Sequence, residues 1–88
     1  GTSTGELLIY NSTANSYPQV VEIYRNDTGD LIYTSSGIPV GSRIDTDILD
    51  VDLPAGTYDC TAYFNAIDPE TSQMVGRAGA NITIKVLG

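Results

Sequence analysis

The chain has 88 residues, of which 41% are hydrophobic, and its 11 acidic and 4 basic side chains give a formal net charge of −7. This length suffices for one domain with a modest core but not for a deep enclosed cleft, and the hydrophobic content excludes intrinsic disorder. The acidic balance argues against nucleic acid, which needs clustered Lys and Arg, and against anionic lipid. No apolar run is long enough to insert this domain into a membrane.

The first half of the chain predicts short strands. No window has a helical period, and turn residues recur roughly every 8–12 residues, which is typical of an all-β protein. Residues 1–5 are expected to be a flexible linker or a remnant left by excision from a longer protein, and residues 6–88 a single domain. The predicted strands of this half are 6–11, 19–25 and 31–34, with a hairpin turn at 26–30.

A change of phase follows in the stretch 43–53. Ile44 and Ile48 share one parity, whereas Leu49 and Leu53 take the opposite one. A strand cannot shift its apolar set by one residue without an insertion, so we predict a β-bulge or a change of partner sheet at Ile48–Leu49.

Acidic residues alternate with the apolar ones in that stretch. Because carboxylates two residues apart on an extended strand are separated by roughly 6.6 Å, they splay instead of converging on one ion. We therefore predict a solvated face that also discourages edge pairing, and no metal site, for Asp45, Asp47, Asp50 and Asp52.

The segment Leu53-Pro-Ala-Gly-Thr-Tyr-Asp-Cys60 predicts a corner leading into a strand. Pro54 and Gly56 form the turn, and Tyr58 is the first inward residue, spaced as in a tyrosine corner, whose hydroxyl bonds back to the preceding turn. Cys60, the only cysteine, has no partner for an internal disulfide. The chain contains no His to activate a thiolate, so Cys60 is predicted to be a core residue.

The second half predicts a long hairpin. The strand 57–66 is expected to turn Tyr58, Cys60, Ala62 and Phe64 inward and Asp59, Thr61, Tyr63 and Asn65 outward. The last strand is predicted to begin near Met74, to be interrupted at 76–80 by a bulge or a close backbone approach, and to end with Ile82, Ile84 and Val86 inward. Lys85 is then outward, which disfavours an isopeptide crosslink.

Tyr24 and Tyr63 are the candidate ligand-binding residues, because parity turns both outward. Exposed tyrosines stack on sugars or anchor protein partners, and the alternative is that they pack across strands. No Ser–His or Cys–His pair, metal-ligand spacing or phosphate loop is present, so we expect no catalytic residue, no enzyme activity and no cofactor.

The corner Leu53–Tyr58 resembles that of bacterial immunoglobulin-like or fibronectin type III-like modules. Together with Ala62-Tyr-Phe-Asn-Ala-Ile-Asp-Pro-Glu-Thr71, it is also similar to uncharacterised exported surface domains of gut Firmicutes. The resemblance implies an immunoglobulin-like antiparallel β-sandwich of six or seven strands with a tyrosine corner, of a branch without disulfides.

The resemblance also implies a location outside a bacterium or on its surface, with anchoring through a trimmed N-terminal segment. The expected role is adhesion, display or spacing, as a monomer or weak dimer with an unknown protein or glycan partner. The alternative is a glycan- or peptide-binding module that uses outward tyrosines or an edge strand.

Overall fold

The computed structural model describes residues 2–87 and is all-β, with six strands and no helix in that range. All pairings are antiparallel and make one sheet of order β3-β2-β5-β6-β1-β4. The strands are β1 Thr4–Tyr10, β2 Gln19–Arg25, β3 Leu31–Thr34, β4 Arg43–Ile48, β5 Gly56–Ile67 and β6 Met74–Leu87. The prediction of an all-β fold is confirmed. None of the segments described is a helix long and apolar enough to cross a membrane.

The strands differ from the predicted ones in two main respects. β1 begins at Thr4, so Thr4 and Gly5 belong to the strand and not to a linker. The last strand is not interrupted at 76–80, since β6 is continuous from Met74 to Leu87, but a bulge lies just before this stretch, at Val75, where the register with β5 shifts. Continuity is possible because β5 extends to Ile67 and pairs with the whole of this small-residue stretch.

The sheet curls so that its two edge strands, β3 and β4, approach each other. The chain ends its pairing with β1 at Ile48, and Leu49 is buried. The next amide, that of Asp50, donates to the Ile32 carbonyl of β3 at 2.9 Å. Neither alternative predicted for Ile48–Leu49 is found: β4 ends at Ile48, the chain stays beside the same single sheet, and after the strand has ended one backbone bond links it to β3.

A bulge lies instead in β1, opposite β4, where the register shifts between Glu6 and Ile9. Leu8 takes a left-handed φ of 53° there and is 75% exposed. β1 pairs with β6 only through Thr4–Glu6, and its later residues follow β4 alone. Leu7 and Ile9 are buried in the core. β1 thus links β6 to the edge strand β4.

The core lies inside the curl and contains residues from every strand except β4, which contributes the half-buried Ile44. Cys60 and Ala62 are both fully buried, as predicted for the inward face of β5. Tyr58 and Phe64 point the same way but are only half-buried, packing against the margin of the core. Apolar alternation therefore predicted the inner face of β5 correctly, although not the depth of burial at its ends.

A buried asparagine, Asn11, fixes the two loops beside β1. Its amide nitrogen donates to the carbonyls of Tyr17 at 3.1 Å and Ile38 at 2.8 Å. Its side-chain oxygen accepts a hydrogen bond from the side-chain amide of Asn15 at 2.8 Å, and its backbone amide donates to the Ser42 carbonyl. Because each polar group of this side chain is satisfied, the chain tolerates a polar residue at 0% exposure.

Candidate functional site

The two predicted ligand-binding tyrosines meet on the outer face of the sheet, where β2, β5 and β6 lie side by side. Tyr24 and Tyr63 are half-buried, with ring centroids 5.7 Å apart and an angle of 76° between the planes. This edge-to-face arrangement is the one that aromatic pairs favour. The sequence thus identified two residues that the fold brings together.

Arg77 and Gly79 complete the surroundings of the Tyr63 ring. The guanidinium carbon of Arg77 lies 4.2 Å from the ring centroid, within cation–π range. Gly79 is the cross-strand partner of Tyr63, and a Cβ there would lie only 3.2 Å from its Cε1. This contact is the close backbone approach predicted for the glycines of β6. Part of the Tyr63 ring is consequently already covered within the domain.

A polar network holds the same surface. Asn65 donates to the Val20 carbonyl at 3.1 Å and to the Glu22 carboxylate at 3.0 Å, and it accepts from Arg77 at 3.3 Å. Arg77 also lies 3.5 Å from the Glu22 carboxylate, and Tyr24 donates to Glu22 at 3.4 Å. We call Glu22, Tyr24, Tyr63, Asn65 and Arg77 the outer-face cluster.

Asn65 is the cluster member whose burial the sequence did not predict. Parity predicts an outward, solvent-facing side chain, and Asn65 does point to the outer face, yet it is only 5% exposed. The side chains of the cluster cover it, and its hydrogen bonds offset the cost of its burial. An asparagine between Phe64 and Ala66 gives no local signal of such a network.

The predicted corner residues lie at the opposite end of β5. Pro54 occupies the turn, Gly56 begins β5, and the Tyr58 hydroxyl donates to the Pro54 carbonyl at 2.6 Å. Arg25 stacks 5.0 Å from the Tyr58 ring centroid. These contacts tie β2 and the turn before β5 to the start of that strand.

Arg25 also holds Asp27 through two hydrogen bonds, of 3.0 and 2.7 Å. These bonds lower the pKa of the Asp27 carboxyl and raise that of the guanidinium. Nearby, burial raises the pKa of the Cys60 thiol, which disfavours the nucleophilic thiolate. Neither the corner nor its surroundings presents an activated nucleophile.

The aspartates after β3 are exposed, as predicted, but they have structural partners that the sequence did not show. Asp47 accepts from the Tyr33 hydroxyl at 2.6 Å, and an Asp50 carboxylate oxygen accepts from the Thr34 amide at 2.9 Å. Both contacts link the β4 end of the sheet to β3. The prediction of a purely solvated face is therefore incomplete.

The two remaining aspartates are also engaged. Asp45 pairs with Arg43 at 3.3 Å, and Asp52 accepts from the amide and the hydroxyl of Thr2. The bonds from Thr2 lower the pKa of Asp52. Among residues 2–87, no group of three or more carboxylate, thiol or imidazole side chains could hold a metal ion.

Comparisons with protein-family models, curated proteins and solved structures returned no match to this chain.

Proposed function

We propose that this chain is a non-catalytic, immunoglobulin-like module that acts outside a bacterial cell or on its surface, in adhesion or display. Two observations support the immunoglobulin-like part. The Tyr58 hydroxyl bonded to the Pro54 carbonyl has the connectivity of a tyrosine corner. The curled sheet brings β3 and β4 together around one core, as the two layers of a sandwich would.

The observation that favours display over spacing is the position of the first and last strands. Thr4 pairs directly with Leu87, so chain entering at β1 and leaving from β6 does so at the same end of the molecule. The β5–β6 turn at 68–73 lies at the other end of a molecule that measures 39 × 22 × 20 Å. A module attached at one end presents the opposite end, whereas a spacer needs its connections at both.

The non-catalytic part of the proposal is supported by the structural contacts that the carboxylates and the thiol make. Glu22, Asp27 and Asp47 all accept hydrogen bonds from neighbouring side chains, and Cys60 is buried. Carboxylate catalysis needs two such groups converging on a cleft. Assays with general glycosidase and esterase substrates are expected to give no rate above the buffer background, and turnover by the purified domain would overturn this part.

Location and display are tested together by an epitope tag inserted in the β5–β6 turn, between Pro69 and Ser72. On intact cells that express the full-length protein, antibody is expected to label this tag. A matched tag in the β2–β3 turn, between Asn26 and Gly29, lies towards the attached end and should be labelled more weakly. Labelling of either tag only after permeabilisation would contradict a surface location, and stronger labelling at Asn26–Gly29 would contradict display of the far end.

A second candidate is a glycan- or peptide-binding module, favoured by the pairing of Tyr24 and Tyr63 on an open sheet face beside Arg77 and Glu22. Because Arg77 covers the face of the Tyr63 ring, a ligand would contact the ring edges and hydroxyl groups of the two tyrosines instead of stacking on a free ring face. A glycan array with the purified domain tests this function. Binding that is lost with Tyr63→Ala but kept with Tyr10→Ala, which removes a half-exposed tyrosine elsewhere, would support it. Binding unaffected by Tyr63→Ala would exclude the cluster.

A further inference from the structure

The last strand, β6, has one long unpaired edge. It pairs with β5 along almost its whole length but with β1 only at Lys85–Leu87. Within residues 2–87, no other strand and no loop backbone bonds to the remaining side of Met74–Ile84. This stretch, which we call the β6 edge, is roughly 35 Å long at the usual rise of a strand. Its first eight residues, 74–81, are all exposed.

The β6 edge has little of the protection that the other edges have, because its one bulge, at Val75, lies at the Met74 end and its one charged side chain, Arg77, is held by Glu22. Asp50 covers β3 by bonding to Ile32 and to Thr34, and the edge strand β4 carries Asp45 and Asp47. Between Met74 and Ile84 there is no proline, lysine or acidic residue. Natural proteins use such residues to prevent edge-to-edge association, so their absence from a long edge indicates that this edge has a partner strand.

We propose that the β6 edge pairs with the β6 edge of a second copy, antiparallel about a two-fold axis at Gly79. In this register the regular stretch 76–82 of one copy faces the same stretch of the other, beyond the bulge at Val75 and short of the residues that pair with β1. The same surface patch meets itself, as a two-fold interface requires. The two six-stranded sheets then become one continuous sheet.

Side-chain chemistry fits this register. Ala78 faces Ala80 of the second copy on the inner face, and both are small and exposed. Arg77, the one charged residue of the edge, faces Asn81 of the second copy instead of another arginine. Its charge is already offset by Glu22 at 3.5 Å. No like charges therefore meet across the proposed pairing, which would otherwise weaken it.

The same features favour a second copy over a basic peptide as the added strand. The net charge of −7 would steer a basic segment towards the domain, but the β6 edge offers no carboxylate to bind one. The charge also repels a second copy at a distance, and salt screens that repulsion. Association is therefore expected to strengthen as salt rises, whereas binding of a basic strand would weaken.

Sedimentation equilibrium on the purified chain tests the pairing. We expect a reversible monomer–dimer equilibrium that shifts towards dimer from low salt to 0.5 M NaCl. The double variant Ala78→Lys/Ala80→Lys sets lysine against lysine twice, and we expect it to weaken dimerisation by at least about tenfold. The variant Ala78→Lys/Ala80→Glu instead sets lysine against glutamate, and it should restore dimerisation to at least the original level.

A charge-matched control distinguishes the effect of lysines at the β6 edge on dimerisation from the effect of the changed net charge. Ala14→Lys/Ala55→Lys changes two exposed alanines outside the β6 edge and alters the net charge equally, so its dimerisation should be unchanged or stronger. Circular dichroism checks that each variant keeps its strands. A chain that stays monomeric at all salt concentrations, a dimer indifferent to the double lysine variant, or a failure of the Lys/Glu variant to restore it would each overturn the proposal. The inference is independent of the proposed surface location, because it is tested on the isolated chain.

Discussion

The hydroxyl of Tyr33 donates to the carboxylate of Asp47 at 2.6 Å and thereby joins β3 to β4, the two strands at opposite ends of the sheet order. Tyr33 is 2% exposed, whereas Asp47 is open to solvent. Burial raises the pKa of the Tyr33 phenol well above its usual range, and the hydrogen bond to Asp47 raises it further. This contact between β3 and β4 is therefore expected to weaken at alkaline pH.

Tyr33→Phe should lower the free energy of unfolding at pH 7 by about 1–2 kcal/mol, because it removes one hydrogen bond to a charged acceptor. Since the folded-state pKa of Tyr33 is raised, its contribution is complete below the unfolded-state pKa of about 10 and is lost as pH rises above it. Urea denaturation of both proteins between pH 7 and pH 11.5 measures this. The stability difference should narrow above pH 10, and a constant difference would contradict the linkage.

Asn11→Asp should be among the most destabilising single changes, costing about 3 kcal/mol. The aspartate cannot donate to the carbonyls of Tyr17 and Ile38, and it places a charge at a position with 0% exposure. Asn81→Asp makes the same chemical change on the exposed side of β6 and should alter stability by less than about 0.5 kcal/mol. Thermal unfolding of the two variants measures both effects. Equal losses of stability would disprove the role of Asn11 in holding the two loops beside β1.

Leu8→Gly should stabilise the fold by about 0.5–1 kcal/mol. Leu8 adopts a φ of 53° and is 75% exposed, so glycine relieves left-handed strain with little loss of buried apolar area. Leu31→Gly, at a more buried leucine in β3 with ordinary φ, should instead destabilise by about 1 kcal/mol. Urea midpoints compare the two, and destabilisation by both would show that the bulge is not strained.

Gly5→Ala tests the packing under β1. A Cβ at Gly5 would lie 3.1 Å from Leu49 Cδ2 and 3.3 Å from Ile84 Cγ2, both buried, so the core must shift to accept it. We expect a loss of about 1–3 kcal/mol, seen as a lower thermal midpoint. Gly37→Ala meets no atom within 4 Å and should be neutral or slightly stabilising. A neutral Gly5→Ala would mean that β1 is packed less tightly than its contacts indicate.

Local sequence patterns predicted the strands and, for most residues, which face of the sheet the side chain lies on. The boundaries of β2 and β3 were predicted correctly, because alternating apolar residues lie there between strong turn residues. The phase change at Ile48–Leu49 coincides with the end of β4, although neither the predicted bulge nor a second sheet is found there. Parity alone brought Tyr24 and Tyr63 to the same outer face, and the register of β2 with β5 then placed them together.

What escaped prediction depends on residues far apart in the sequence. The burial of Asn65 needs Glu22 and Arg77, which belong to two neighbouring strands. The partners of Asp47 and Asp50 exist only because the sheet curls, and a periodic pattern carries no information on strand order. The interruption predicted at 76–80 was wrong because small residues usually weaken a strand, whereas here Tyr63 covers Gly79.

The placement of β1 imposes an order on folding. Thr4–Glu6 pairs at once with β4 and with Lys85–Leu87, near the other end of the chain. The hairpins β2–β3 and β5–β6 can form from neighbours in sequence, but β1 has no complete docking place until the last strand exists. During synthesis on the ribosome, β1 can pair with β4 as soon as that strand emerges, but its pairing with β6 has to wait for β6, and the nascent domain keeps part of its apolar interior open to chaperones and proteases until then.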